Sequence, residues 1–369
     1  MLIVTMRGPL EQMYGSDGYT DVRSALNDYG RAAQGFVLAV DDAADCQALG
    51  LNPAPGNDSG AILLAIRAAR NRLGPLAGSL LLAGGDRVVP HFQLANPVVD
   101  RVLDQDTVVF SDNPYGTNEE SALERLAPSL PVGRMAQPDT ACASFVALIE
   151  GMTKAAARAK SPAGMPGAAL VVNEDWIDYS QKVAAVMPGP LDWHISPGYE
   201  MNSGTLADAG RRILYFNLHG FSGVPEWKGY STTLKTFVTA VSPDAFVDTY
   251  VNGSIAFAEC CYGAETAGRS ADNSCALKLV SQGAAFVGAT GLAYGSYLAP
   301  DFFIEDADYL GRAFFSGLKA GSPLGVALRD ARRAYLYDAN NENLATAAWQ
   351  YKQKTLLQFV LLGDPQWTM

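Results

Sequence analysis

Two stretches of the chain decide the fold: Ile213-Leu-Tyr-Phe-Asn-Leu-His219-Gly220 and, further along, Ile255-Ala-Phe-Ala-Glu259-Cys260-Cys261-Tyr262-Gly263. Each begins as a short, continuous apolar run, which is typical of a strand buried on both faces of a parallel sheet. Parallel strands open their carboxyl ends on one edge of the sheet, where ligands of α/β proteins bind. The two stretches therefore predict an α/β fold in which His219 and Cys261 face each other at that edge.

Similar apolar runs recur along the chain and alternate with helical patterns. Helices are predicted to begin at Asp58-Ser59, at Pro138-Asp139 and at Ser322-Pro323. In each case a capping residue, a proline or both stand before an amphipathic run. This alternation predicts a mainly parallel sheet flanked by helices. Strands are predicted at Leu2–Met6, Gly35–Val40, Ser79–Ala83, Val108–Phe110, Ala168–Val172, Arg212–Asn217, Gly253–Ala258, Ala284–Gly288 and Leu357–Leu361.

One segment is a candidate boundary between two subdomains. Lys160-Ser-Pro-Ala-Gly-Met-Pro-Gly167 is rich in proline and glycine and precedes a predicted strand. A length of 369 residues is also typical of two domains or subdomains. We therefore expect two α/β subdomains side by side, a non-catalytic one over residues 1–160 and a catalytic one over residues 166–369.

Composition and charge exclude several classes of protein. Hydrophobic residues make up 49% of the chain and charged residues 18%, which excludes a disordered protein. The net charge of −11 argues against binding to nucleic acid or to an anionic membrane, and it would favour a basic peptide. No apolar run is long enough to span a bilayer, and Met1–Arg7 lacks the features of a signal peptide. We therefore expect a cytoplasmic protein, or a secreted one if a signal peptide has been removed from this sequence.

Few imidazole side chains are available in this sequence to act as a general base. The chain has three histidines, His91, His194 and His219, and only His219 ends an apolar strand and precedes glycine. A thiol beside an imidazole can act as a nucleophile, because the base takes its proton. The N–H groups of Gly220 and Cys261 could then point at a developing oxyanion. The other two histidines have no cysteine or carboxylate at zinc spacing, so we predict neither a metal nor a cofactor.

The order of these motifs resembles that of the caspase-like cysteine peptidases, and most closely that of the gingipain-type peptidases. An apolar strand with His-Gly is followed by an apolar strand with Glu-x-Cys, as in that family. Further blocks in the same order extend the resemblance from about residue 80 to residue 369. They are Leu80-Leu-Leu-Ala-Gly-Gly-Asp86 with Val89-Pro90, Ser111-Asp112-Asn-Pro-Tyr115-Gly116, Leu130-Pro-Val-Gly133-Arg134, Phe286-Val-Gly288-Ala-Thr290-Gly291 and Leu361-Leu362-Gly363-Asp364-Pro365.

The resemblance implies a caspase-like fold and a catalytic dyad, with His219 as acid/base and Cys261 as nucleophile. This sequence departs from the family at one position, because Cys260 stands where a small residue usually precedes the nucleophile. Alignment on Glu-x-Cys makes Cys261 the nucleophile, whereas alignment on Cys-x-x-Gly makes it Cys260. We favour Cys261.

The resemblance also implies residues around the dyad. Glu174 or Asp175, after the first strand of the second half, could orient the histidine. Tyr294, in the loop Thr290–Tyr297, is a candidate wall of the first specificity pocket. The candidate selectors of a basic side chain are Asp272, Asp301 and the run Glu305, Asp306 and Asp308, and for that run we favour a solvated face.

Together these features predict a cysteine endopeptidase that cuts a peptide or protein substrate through a thioester, with a basic residue as the candidate preference. Its control could involve an activating partner or autoprocessing. The alternative is a catalytically silent caspase-like scaffold or regulatory interaction protein, since a fold does not fix a function. Another thiol hydrolase or acyltransferase is less favoured, because no Gly-x-Cys-x-Gly elbow surrounds either cysteine.

Overall fold

The computed structural model of the chain describes residues 1–56, 58–158, 167–201, 211–247, 251–296, 305–338 and 346–369. Its strands are β1 Leu2–Thr5, β2 Phe36–Ala39, β3 Leu80–Ala83, β4 Phe92–Ala95, β5 Val108–Ser111, β6 Val132–Met135, β7 Gly167–Asn173, β8 Leu191–Ser196, β9 Arg211–Asn217, β10 Trp227–Ser231, β11 Thr236–Val241, β12 Ile255–Ala258, β13 Ala285–Ala289 and β14 Phe359–Leu362. Its α-helices are α1 Arg7–Ala32, α2 Ala43–Ala48, α3 Ser59–Leu73, α4 Ala122–Leu126, α5 Cys142–Arg158, α6 Ile177–Ala184, α7 Cys275–Ser281, α8 Asp306–Lys319, α9 Leu324–Leu336 and α10 Thr346–Gln358.

One ten-stranded sheet runs through both halves of the chain, in the order β2-β1-β3-β6-β14-β13-β12-β9-β7-β8. The first five strands in this order are parallel to one another, and so are the last five. The two groups meet at β13 and β14, which pair antiparallel. The predicted α/β fold with a mainly parallel sheet is confirmed. Because the two groups run in opposite directions, the carboxyl ends of their strands lie at opposite edges of the sheet.

Every predicted strand coincides with a strand of the structure, but five strands were not predicted. Three of these, β4, β10 and β11, belong to the antiparallel pairs β4–β5 and β10–β11. Strand β6 reads Val-Gly-Arg-Met, in which a glycine and a charged residue interrupt the apolar run. The fifth, β8, is an edge strand with mostly half-buried side chains. Helix α3 begins after Asp58 as predicted. Helix α9 begins one residue later than expected, because Pro323 rather than Ser322 is its N-cap.

The motif blocks of the first half meet around one buried guanidinium. Arg134, on β6, is fully buried and forms a bidentate pair with Asp112, with Nε–Oδ2 and Nη2–Oδ1 distances of 2.9 and 2.5 Å. The same guanidinium donates to the carbonyl oxygens of Gly84 and Val89. Buried charges need such complete pairing, so these blocks serve the packing of the first half.

The last strand joins the two halves. The Gly363 N–H donates to the Arg134 carbonyl oxygen at 2.8 Å, and a Cβ at Gly133 would lie 2.3 Å from the Gly363 carbonyl oxygen. Only glycine at position 133 allows this approach of β14 to β6. The proposed division at residues 160–166 lies outside the described residues and stays a prediction.

Along the strands of the second half, the apolar core forms two layers, one on each face of the sheet, and a smaller third cluster includes Val109, Leu126 and Leu356. Side chains alternate between the layers along β12: Ala256 and Ala258 pack in one layer, and Ile255 and Phe257 in the other. Cys260 continues the first series and is fully buried in that layer. Within the part of the chain that the structure describes, no helix combines the length and apolarity needed to cross a membrane.

Candidate active site

His219 and Cys261 follow neighbouring parallel strands. Strands β9 and β12 pair with Phe216 opposite Ala258, and each candidate residue lies three positions beyond that pair. A Cβ at Gly220 would lie 1.8 Å from the Cys261 carbonyl oxygen and 3.4 Å from the Cys261 nitrogen. The two loops are therefore in direct backbone contact, and only glycine fits after the histidine. This contact also brings the peptide groups of Gly220 and Cys261 side by side.

The Cys261 sulfur lies against the loop that follows β13. Its Sγ is 3.3 Å from the Ala293 nitrogen and 3.5 Å from the Ala293 carbonyl oxygen. Burial raises the pKa of the Cys261 thiol, and the Ala293 N–H and the Lys354 ammonium oppose this effect only in part. The free thiol is therefore mostly protonated at neutral pH.

The neighbouring thiol has a different environment. Cys260 is fully buried in the apolar layer, whereas Cys261 is partly exposed. Burial raises the pKa of Cys260 well above its ordinary value. An inward-facing thiol of this kind is typical of a structural cysteine. All five cysteines of the chain are free.

His219 is surrounded by aromatic rings. Its ring centroid lies 4.4 Å from that of Trp176 and 5.0 Å from that of Phe237. Burial lowers the pKa of His219 to about 4, and the smaller effect of the Asp175 carboxylate acts in the opposite direction. The imidazole is therefore uncharged at neutral pH and can accept a proton.

The two candidate orienting acids have different surroundings. The Glu174 Oε1 accepts hydrogen bonds from the Thr232 N–H and hydroxyl, at 3.3 and 3.0 Å, so this carboxylate holds the turn between β10 and β11. Asp175 is exposed, and its charge acts on His219.

Tyr294 lies in the loop after β13, next to Ala293. Its hydroxyl donates to the Asp104 Oδ2 at 2.6 Å, and its ring stacks on Tyr351 with centroids 4.3 Å apart. The hydroxyl is thus held by the fold, and the ring is partly exposed. Tyr297, at the end of the predicted pocket loop, lies outside the described residues.

The acidic run at the start of α8 is not a solvated face. Asp306 and Asp308 are 6% and 2% exposed, and Glu305 is half-buried. The Asp308 Oδ2 accepts from the Ser296 N–H at 2.7 Å, and the Tyr335 hydroxyl donates to the Asp306 Oδ1 at 3.0 Å. This expectation was wrong because the fold supplies partners for both carboxyl groups. Asp272 is exposed, and Asp301 lies outside the described residues.

Sequence reasoning missed the contribution of the first half to this site. The segment between β4 and β5 places Asp104 and Asp106 against the loops around Cys261, where Lys354 of α10 contacts both carboxylates. A cavity of about 420 Å³ lies next to Asp106 and is also lined by Ser222, Tyr262 and Gly291. These contacts join residues far apart in the chain, and no local pattern indicates them. Among the described residues, no three His, Cys, Asp or Glu side chains are grouped so that they could hold a metal ion.

Comparisons with known proteins agree with this architecture. The crystal structure of the Arg-specific cysteine proteinase gingipain R is similar with a TM-score of 0.64 and 12% identity, covering 100% of this chain and 78% of that chain. A complex of the pro- and mature domains of RgpB from Porphyromonas gingivalis gives a TM-score of 0.61 and 12% identity, covering 99% and 78%. A further protease structure gives a TM-score of 0.62 and 13% identity, covering 100% and 78%. The search of curated proteins returned no match.

At identities this low, the structural similarity establishes a common fold alone. The family follows from a separate finding. The model of peptidase family C25 matches residues 28–369. The match begins well before residue 80, where the recognisable motif blocks begin. The predicted resemblance is confirmed: this chain belongs to peptidase family C25, the gingipain family of cysteine peptidases.

Proposed function

We propose that this cysteine peptidase cuts bonds within peptide or protein substrates, with His219 as acid/base and Cys261 as nucleophile. The observation that carries the proposal is the backbone contact between Gly220 and Cys261 at the carboxyl ends of β9 and β12. It brings the loops that carry the uncharged His219 imidazole and the partly exposed Cys261 thiol into backbone contact. The imidazole and the thiol are the parts that acyl transfer to sulfur requires.

In the proposed reaction, His219 takes the thiol proton as the Cys261 sulfur attacks the carbonyl carbon of the scissile bond. The resulting oxyanion accepts hydrogen bonds from the N–H groups of Gly220 and Cys261. The protonated His219 then gives its proton to the leaving amine, and a thioester remains. Water attacks the thioester carbonyl and gives a proton to His219, and the acid product leaves as the thiol is restored.

The electrostatics favour an uncharged resting pair. Burial lowers the pKa of His219 to about 4 and raises the pKa of the Cys261 thiol. Transfer of the proton from sulfur to imidazole is therefore unfavourable until something stabilises the resulting charges. A bound substrate could do this, and so could an activating partner or a cleavage within the chain. We propose that the resting protein reacts slowly with alkylating agents.

Two features support the choice among the alternative site residues. Cys260 lies in the apolar layer, on the face of the sheet opposite to Phe257 and Glu259, so its sulfur cannot reach the edge without unpacking the core. Asp175 acts on His219 electrostatically, whereas the Glu174 carboxylate accepts a hydrogen bond from the Thr232 hydroxyl. We therefore assign Cys261 as nucleophile and Asp175 as the acid that assists His219.

A preference for a basic residue is supported by two buried carboxyl groups near the nucleophile. Glu259, two residues before Cys261, and Asp308 are both buried, and the charge of Asp308 adds to burial in raising the pKa of Glu259 well above its ordinary value. Burial raises the pKa of both groups. A lysine or arginine side chain bound beside these groups would favour the ionised form of both, with the Tyr294 ring as an adjacent wall. The net charge of −11 would also attract a basic substrate.

The test combines alkylation with peptide cleavage. An iodoacetamide probe, followed by peptide mapping, is applied to the wild type and to Cys261→Ala, Cys260→Ala and His219→Ala, and each is assayed with fluorogenic Arg, Lys, Asp and Asn peptides. We expect turnover of the Arg or Lys peptide, loss of at least about 1,000-fold in Cys261→Ala and His219→Ala, and near-normal turnover in Cys260→Ala.

The controls separate the parts of the proposal. Turnover that survives in Cys261→Ala but not in Cys260→Ala would move the nucleophile to Cys260. Equal rates on all four peptides, or a preference for the Asp peptide, would contradict the basic preference. If no thiol reacts faster than a free cysteine and no peptide is cut with or without prior proteolytic nicking, the scaffold alternative is supported.

A further inference from the structure

A buried lysine lies between two carboxylates beside the proposed nucleophile. Lys354, on α10, is fully buried, and its Nζ is 2.6 Å from the Asp104 Oδ2 and 2.7 Å from the Asp106 Oδ2. The two aspartates come from the segment between β4 and β5, in the first half of the chain. We refer to Asp104, Asp106 and Lys354 as the lysine clamp.

Asp106 holds both loops that surround the Cys261 sulfur. Its Oδ1 accepts from the hydroxyl of Tyr262, the residue after Cys261, at 2.7 Å. Its Oδ2 accepts from the Leu292 N–H at 2.8 Å, and Leu292 precedes Ala293, whose N–H is 3.3 Å from the sulfur. One carboxylate thus fixes the residue after Cys261 and the residue before its N–H partner.

Asp104 holds the other side of the same contact. Its Oδ2 accepts from the hydroxyl of Tyr294, the residue after Ala293. Ala293 is therefore flanked by two residues that are both hydrogen-bonded to the clamp. The fit is tight, since a Cβ at Gly291 would lie 2.6 Å from the Asp106 Oδ2.

A cluster of this kind does not stabilise a fold by its charges alone. Three ions lose their hydration when they are buried, and apolar side chains of similar volume are often at least as stabilising. What the clamp adds is fixed geometry, because each hydrogen bond has a set length and direction. The geometry it fixes is that of the peptide group against the Cys261 sulfur.

We propose that Asp106 and Lys354 are positioning residues for Cys261: they hold the Ala293 N–H against the sulfur, and their opposite charges set the balance between thiol and thiolate. This inference rests on the proposed role of Cys261 as nucleophile. It assigns a part of the proposed catalytic apparatus to the first half of the chain, which was expected to be non-catalytic.

Charges on several elements face the Cys261 thiol. Burial has the largest effect on its pKa and raises it, while Lys354 lowers it and Asp106 raises it. The hydroxyls of Tyr262 and Tyr294, the buried Cys260 thiol and His219 on the adjacent loop are the other titratable groups nearby. Both tyrosines have strongly raised pKa values, chiefly through burial, and stay neutral at physiological pH. Substitutions in the lysine clamp therefore change the charge near the Cys261 thiol in a defined direction.

The test measures the rate of Cys261 alkylation by iodoacetamide as a function of pH, together with kcat and KM on a cleavable peptide. Asp106→Asn removes the negative charge, and we expect the alkylation midpoint to move to lower pH. The double variant Asp104→Asn with Lys354→Met removes the positive charge and one of its two negative partners. The Asp106 carboxylate then remains, and we expect the alkylation midpoint to move to higher pH. In both variants we expect kcat to fall roughly 10- to 100-fold, with KM changed much less.

A matched control is available on the same helix. Lys352 is also fully buried on α10, but it faces the rings of Tyr335 and Trp349 rather than the clamp, so Lys352→Met should leave the alkylation midpoint and kcat unchanged. Midpoint shifts in the same direction in both clamp variants, or no shift with an unchanged kcat, would overturn the inference. The alkylation profile needs no peptide cleavage, so a protein that cuts no peptide would contradict the proposed function and still leave the clamp tested.

Discussion

Two groups of buried carboxyl side chains touch the loops around Cys261, and they differ in how burial is compensated. In the lysine clamp, hydrogen bonds from Lys354, Leu292 and Tyr262 outweigh the effect of burial and lower the pKa of Asp106. In the second group, Glu259 and Asp308 interact electrostatically, and burial raises the pKa of both. Asp306 belongs to this second group, since burial raises its pKa to about 7.

The difference shows that burial does not by itself determine the charge of an acid. Desolvation disfavours the carboxylate in both groups, and the partner decides the outcome. An ammonium group contacts both carboxylates of the clamp, whereas burial favours the protonated form of the acids in the second group. The same region of the molecule thus combines a fixed charge arrangement with groups whose charge depends on pH.

The largest expected effect comes from removing the cation of the first group. Lys354→Met leaves the buried Asp104 carboxylate and the partly buried Asp106 carboxylate without their ammonium, which typically costs about 3–5 kcal/mol of the free energy of unfolding. Lys352→Met should cost much less, because burial already lowers the pKa of Lys352 to about 8 and little charge pairing is lost. Urea unfolding of both variants at pH 7 measures the contrast. Equal losses of unfolding free energy would show that the pairing of Lys354 with the two aspartates contributes no more than the burial of Lys352.

The next effect concerns the pH dependence of the second group. The folded protein holds a proton on Asp306 up to about pH 7, whereas an unfolded aspartate releases it near pH 4. The free energy of unfolding gained from this group is therefore present at low pH and lost as the pH rises from about 4 to 7. Each pKa unit corresponds to about 1.4 kcal/mol, so the loss is up to about 4 kcal/mol.

Asp306→Asn isolates this contribution. Asparagine tolerates the positive φ of 50° at this position and keeps an oxygen for the Tyr335 hydroxyl. In urea unfolding experiments, we expect the wild type to become steadily less stable relative to the variant as the pH rises from about 4 to about 7. Effects of other groups, including the opposite contribution of His219, are common to both proteins and cancel. A difference that does not vary with pH would mean that Asp306 is ionised throughout.

The smallest expected effect is that of replacing an acid that is already neutral. Glu259→Gln removes little charge, because burial already favours the protonated form of Glu259, and the amide oxygen can still accept from the Tyr215 hydroxyl. We expect a change of less than about 1 kcal/mol in the free energy of unfolding at pH 7. A loss as large as that of Lys354→Met would show that the second group also depends on a fixed charge.

The sequence predicts the parts of this molecule that depend on local pattern. Continuous apolar runs indicate strands such as β9 and β12, and the residues that end them indicate His219 and Cys261. The position of β14 has no such signal, because it depends on pairing between β14 and the distant strands β6 and β13. The lysine clamp is missed for the same reason, since Lys354 and Asp104 are 250 residues apart.

A different reason explains the acidic run at the start of α8. Charged residues in sequence are usually solvated, and three acids within four positions indicate an exposed face. Asp306 and Asp308 are buried because partners from other elements, the Tyr335 hydroxyl and the Ser296 N–H, reach them in the folded chain. Such partners cannot be recognised until the tertiary structure is known.

The insertion of β14 between β6 and β13 has a consequence for a nicked molecule. A cut anywhere between Arg158 and Gly167 would give two fragments, and β14 of the later fragment would remain paired with β6 of the earlier one. The buried Arg134 backbone and Gly363 form part of that seam. The fragments would separate on a denaturing gel and migrate together under native conditions, so processing at this junction would produce a non-covalent heterodimer rather than release either half.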